Sequence, residues 1–146
     1  MGVYSTDSAV KPHVVEKWID GMLEKRGPEV AARVSRLCAS DPHLPLPDAL
    51  RRYIHETGTV NHAAEMQAEV QEIGREVWYR GVHKQRPLTD EERGQACQEW
   101  WEANAGSWRQ HLLRVYDLTI ARNSGYFDRR LRQIEPSLNV RISMAN

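Results

Sequence analysis

Cysteine is nearly absent: the 146 residues include only Cys38 and Cys97. Two thiols cannot form a disulfide framework, so the core must hold the chain together. The pair reads as buried free thiols in a reducing compartment. Neither belongs to a Cys-x-x-Cys pair or a Cys/His cluster at zinc spacing. Long apolar runs are also missing, and no basic stretch followed by an apolar one opens the chain. A cytoplasmic protein without a membrane span is therefore expected. Gly2 with Thr6 matches the N-myristoylation pattern, which is too short to set the reading.

Catalytic signatures are missing as well. His-Glu-x-x-His, Gly-x-Ser-x-Gly, the phosphate-binding loop and the dinucleotide glycine pattern do not occur. The six histidines are scattered, and none follows a glutamate by three residues, as the di-iron bundles require. No catalytic residue, metal or cofactor is expected. A cysteine nucleophile is disfavoured because Cys38 and Cys97 both fall on apolar stripes.

Net charge is the third absence: 20 basic and 20 acidic side chains cancel. Their distribution is uneven. Between Thr89 and Ala103, Asp90, Glu91, Glu92, Glu99 and Glu102 face a single arginine, whereas seven arginines against three acids follow Gly106. Pairing within the chain is the plain explanation, and a basic docking face for an anionic partner is the sharper one. Arginine outnumbers lysine sixteen to four, a bacterial-like composition that GC-rich coding also produces.

What the chain does contain is helical periodicity. At this length it forms one domain, residues 1–146, with a sizeable core. Residues 1–11 read as a loose arm. Val15, Trp18, Ile19, Met22 and Leu23 make a first amphipathic helix that Gly27-Pro28 ends, and Val30, Val34, Leu37 and Cys38 make a second. Three prolines between Pro42 and Pro47 mark a loop, and a short helix with Leu50, Tyr53 and Ile54 runs to Gly58.

Thr59 is then a plausible N-cap for the longest clear helix, with Gly81 as its C-terminal cap. Ala63, Met66, Val70, Ile73 and Val77 step by three and four along it, the narrow seam of helix-on-helix packing. Val82–Leu88 reads as a basic loop, and Thr89 with Glu92 is a capping box. Asn104-Ala-Gly106 and Ser107 favour a break, although Trp101, Trp108, Leu112 and Val115 keep one register through it. Asn123-Ser-Gly125 is a firmer boundary before a last helix with Phe127, Leu131 and Ile134. Residues 137–146 alternate apolar and polar and read as an extended tail. The expected fold is all-α, a single-domain bundle of six or seven helices.

Three constellations bear on function. Glu65, Glu69, Glu72 and Glu76, with His62, follow one face of the long helix. That face lies about 200° from Ala63, opposite the apolar seam, and reads as solvated. The pairs Trp78-Tyr79 and Trp100-Trp101 point about 100° apart on a helix, so one member of each can be core and the other rim. Tyr79, Trp100 and Trp101 are the candidate interface aromatics. Arg122, Arg129, Arg130 and Arg132, with Tyr126 and Phe127 between them, form an aromatic-interleaved basic patch that suits a phosphate backbone.

The sequence therefore points to a non-enzymatic helical binding protein. Its partner is another protein or a multi-subunit assembly, with nucleic acid held on Arg122, Tyr126, Arg129, Arg130 and Arg132 as the sharpest form. One alternative is an inhibitor, immunity or antitoxin-like protein. Another is a small-molecule enzyme or sensor with a pocket lined by Trp100, Trp108, Tyr116 and a histidine.

Overall fold

The computed structural model describes residues 10–139, and the regular elements in that range are all helical. They are α1 (Pro12–Ser40), α2 (Leu46–Thr57), α3 (His62–Lys84), α4 (Asp90–Arg122), α5 (Ser124–Ile134) and a 3₁₀ turn (Pro136–Asn139). The expected all-α class holds. The expected six or seven helices become five: at Gly27-Pro28 two helical segments follow one another across a kink within α1, and the break expected at Gly106 does not occur. Residues 1–9 of the expected arm and 140–146 of the expected tail lie outside the described residues.

The first of these sites is Gly27-Pro28. Pro28 lacks an N–H and its ring crowds the preceding turn, which bends a helix without stopping it. The bend falls at Arg26 (φ −123°, ψ 25°), and α1 continues to Ser40. Gly27 is buried, and a Cβ there would lie 3.3 Å from Cγ2 of Ile134. The glycine lets α5 approach α1 at the bend.

The second is Gly106. α4 passes through it for 33 residues, and no neighbouring atom lies within 4 Å of where its Cβ would be. The apparent stop signals are used inside the helix. Asn104 Nδ2 donates to the Trp100 carbonyl (3.2 Å), and Ser107 Oγ donates to the Asn104 carbonyl (3.3 Å). The register through Trp108, Leu112 and Val115 outweighs one exposed glycine, which costs only about 1 kcal/mol.

Other boundaries follow local chemistry. Gly58 ends α2 in the left-handed conformation (φ 76°), and Thr89 with Glu92 forms the expected capping box. The N-cap of α3 is Asn61 rather than Thr59: its side chain accepts from Ala64 N at 3.1 Å. Gly81 does not end α3, which runs on to Lys84 and turns at Gln85 (φ 57°). Val82–Lys84 is thus helical, not loop. The turn folds back over Gly81, whose carbonyl accepts from Arg86 N and whose Cβ would lie 3.1 Å from the Arg86 carbonyl oxygen.

The main core joins α1, α2, the C-terminal half of α4, and α5. Ile19, Leu23, Leu50, Ile54, Leu112, Tyr116, Ile120, Phe127 and Leu131 are among its largest fully buried side chains. Val10 is buried with them. Ion pairs cross the same helices: Arg33 grips Glu56 with both nitrogens (2.8 and 2.6 Å), and Asp117 accepts from Arg51 and His55. α3 stands apart, since its substantial packing is against α4 alone. Together α3 and the N-terminal half of α4 form an antiparallel hairpin that extends from the body. Leu88 and Ala96 are buried near its tip but lie outside the main core cluster.

Candidate docking face

α3 faces the opposite way from the sequence expectation. Glu65 (5 % exposed), Ala68 and Glu72 (7 %) are its buried residues, while Met66 (46 %) and Val70 (63 %) point to solvent. Glu65 and Glu72 of the acidic face go inward and Met66 and Val70 of the apolar seam go outward, while Ile73 of that seam packs against the core.

The reason lies in what α4 offers. Glu65 accepts from Val60 N (2.9 Å), from the Thr59 hydroxyl (2.7 Å) and from the Tyr116 hydroxyl. Arg109 adds its charge at 3.6 Å. Burial, then the Glu65 contact, pushes the Tyr116 phenol far above its ordinary value, so it stays a donor. Further out, Arg80 joins Glu76 (2.8 Å) to Glu99 on α4 (2.5 Å), and Glu92 accepts from both Lys84 and Arg86 at 2.8 Å. Those two cations and the Thr89 N–H hold the Glu92 carboxyl well below the usual range. The hairpin is closed by charge, in a geometry that aliphatic seams alone could not select. The acidic start of α4 pairs with the basic end of α3, not with the C-terminal arginines.

The outward half of α3 is the consequence. Between Ala63 and Val82 its exposed residues include Met66, Gln67, Val70, Gln71, Gly74 and Trp78, and Arg75 is the one charged side chain exposed there. Trp78 (64 %) and Val82 (54 %) extend the exposed apolar stripe, and Tyr79 packs edge-on to Trp78 with ring centroids 5.1 Å apart. Beside them a groove of about 570 Å³ lies between α3 and the turn into α4, with Val77, Trp78, Gly81 and Leu88 among its walls. Monomeric soluble proteins rarely leave such a contiguous apolar surface uncovered.

Of the interface aromatics read from sequence, Tyr79 and Trp101 are exposed, and Trp100 is buried edge-on to Trp108 at 6.2 Å. Trp101 and Trp100 thus exchange the roles their register suggested: Trp108, Leu112 and Val115 face the core without Trp101. Trp108 also lies against His111. Burial pulls the His111 imidazole below its ordinary value. Trp100, Trp108 and Tyr116, the expected pocket lining, fill the core cluster instead.

The arginine patch is divided. Arg132 pairs with Asp128 (2.6 Å) and donates to the Leu138 carbonyl, while Arg130 faces Asp20 at 3.7 Å. The Tyr126 hydroxyl donates to the same Asp20 at 2.8 Å. Arg122 and Arg129 are exposed at the junction of α4 and α5, with no ion pair among the described residues. Among those residues, no three His, Cys, Asp or Glu side chains gather as metal ligands, and no helix is long and apolar enough to cross a membrane.

Met66 and Val70 are surface residues that periodicity assigns to the interior, and Trp78 and Val82 join them on that surface. One signal could have marked them: Gly74 and Gly81 share their stripe, and a packed seam has little use for two glycines. No known protein family, curated protein or solved structure matches the chain.

Proposed function

We propose that this protein is a non-enzymatic protein-binding module whose docking surface is the outward face of α3. One observation carries the reading: the stripe Met66, Val70, Trp78 and Val82 leaves large apolar side chains exposed on one helix, with Arg75 the one charged side chain exposed beside it. Interface centres are depleted in charge and enriched in Trp, Tyr and Met, which is the composition of this face. Its sparse charge also argues against electrostatic steering as the basis of recognition.

The test is co-purification from the native host with wild-type chain and a Val70→Ser/Trp78→Ser variant. Both positions are exposed, so the variant keeps its helix content. The wild type is expected to retain a stoichiometric protein that the variant loses. Equal retention by the two would overturn the reading.

Nucleic-acid binding through Arg122, Tyr126, Arg129, Arg130 and Arg132 has weaker support. Asp20 and Asp128 offset two of the four arginines. With only two left open, the salt dependence would have a slope of about −2, against about −5 to −9 for a face making 6–10 phosphate contacts. A steeper measured slope would revive that reading.

A further inference from the structure

We infer that the outward face of α3 docks on α3 of a second copy, the two helices antiparallel across a two-fold axis at Gly74. The inference rests on the protein-binding reading above and names its partner. Met66, Val70, Gly74, Trp78 and Val82 recur at every fourth residue. Residues so spaced form one of the ridges by which helices interlock, and two such ridges pack at a crossing angle of about −50°.

This ridge is symmetric about its middle. Val70 and Trp78 lie four residues either side of Gly74, and Met66 and Val82 lie eight either side. An antiparallel pair centred on Gly74 therefore sets Val70 against the other copy's Trp78, and Met66 against its Val82. Gly74 meets Gly74, where the backbones come closest. A two-fold interface requires such self-complementarity, in which residue i meets j and j meets i. The groove bounded by Trp78, Gly81 and Leu88 receives the second copy's shorter side chains.

Gly74 fits the centre of such a pair. Like Gly21, Gly94 and Gly106, it has nothing within 4 Å of where its Cβ would be, and without a side chain it leaves room for another backbone to come close. Charge matches along the ridge itself: Met66, Val70, Gly74, Trp78 and Val82 bury no ion when they meet their own copy, and the cations Arg75, Arg86 and Arg93 lie at its margin.

Three purified proteins test this by light scattering across a dilution series: wild type, Gly74→Arg, and Gly74→Cys in a Cys97→Ser background. The wild type is expected to show the mass of two copies and to dissociate on dilution. Gly74→Arg should weaken association roughly 100-fold, as loss of a central contact does. Its helix content should be unchanged, since the site is open in the single chain. Mild oxidation should link Gly74→Cys into a covalent pair, and Cys97→Ser alone should not link. Wild type with the mass of one copy at every concentration would overturn the inference. So would an undiminished dimer in Gly74→Arg, which would place the interface elsewhere. A single-copy wild type that still retains a different protein through Val70 and Trp78 removes the second copy and leaves the binding reading standing. A single-copy wild type that retains nothing removes both.

Discussion

Glu65 is held by three donors, the Val60 N–H and the hydroxyls of Thr59 and Tyr116, and is 5 % exposed. Leaving buried partners unsatisfied costs about 1–3 kcal/mol for a neutral group and more where a charge is involved. Glu65→Ala is therefore expected to destabilise by about 3 kcal/mol, most of it from stranding the Tyr116 hydroxyl. Tyr116→Phe should cost less, because Glu65 keeps its other two donors and Arg109. Urea midpoints would rank the two, and the reverse order would contradict this account. His111 gives a pH effect of definite sign. Burial favours its neutral form in the fold, partly opposed by Glu72 and reinforced by Arg114. The unfolded chain protonates this histidine near its ordinary value of about 6.5, before the folded chain does. The unfolded state thus binds more protons, and stability falls as pH drops below about 6.5 until the lower folded value is passed. His111→Leu should flatten that part of the melting-temperature profile. None of this was legible in the sequence, where Glu65 belonged to a stripe opposite the apolar seam and His111 was one of six scattered histidines. Periodicity says which residues share a face but not what the facing helix offers them.

The elements were more legible, and their misreadings trace to glycine. Gly58, with its left-handed φ of 76°, is a true stop, the Thr89 capping box a true start, and Asn123 a true boundary. Gly106 carries a similar local signal, yet its helix continues, whereas at Gly27-Pro28 helical geometry is interrupted at Arg26 and resumes, because whether a glycine ends a helix depends on what surrounds it. That difference can be measured by substituting alanine. Gly106→Ala adds a methyl in open space inside a helix and should stabilise by about 0.5–1 kcal/mol. Gly27→Ala must displace Ile134, 3.3 Å away, and should destabilise α1 against α5. Gly58→Ala is strained by its positive φ, and the Arg109 guanidinium lies 2.9 Å from the new Cβ, so it should also destabilise. Urea midpoints should move up for the first and down for the other two. A fall for Gly106→Ala would mean that the helix does not run through it at uniform geometry.

At the scale of the molecule, the sequence foretold an all-α domain but not its division into a body and a hairpin. That division arises because the substantial packing of α3 is against α4, through buried carboxylates with Ala68 and Ile73, while α1, α2, α5 and the end of α4 make up most of the apolar core. Ion pairs between half-exposed groups contribute little each, typically about 0–1 kcal/mol. The outer hairpin, closed by Arg80–Glu99, Lys84–Glu92 and Arg86–Glu92, should therefore open without the body unfolding. Hydrogen exchange in dilute protein should find the amides of Arg75–Lys84 and Glu92–Trp100 exchanging through this partial opening. Those of Leu112–Ile120 should exchange only through global unfolding. Acid sharpens the contrast. The Glu92 carboxyl, held low by Arg86 and Lys84, supports the tip at pH above its unfolded value of about 4.3, and that support is lost as pH falls towards its depressed folded value. Glu92→Gln should reproduce the acid effect at neutral pH by removing the charge between the two cations, while its amide oxygen can still accept from the Thr89 N–H. It should speed exchange at the tip and leave Leu112–Ile120 unchanged. If the two regions instead exchanged together and responded equally to Glu92→Gln, hairpin and body would be one cooperative unit. The outward face of α3 would then be as rigid as the core.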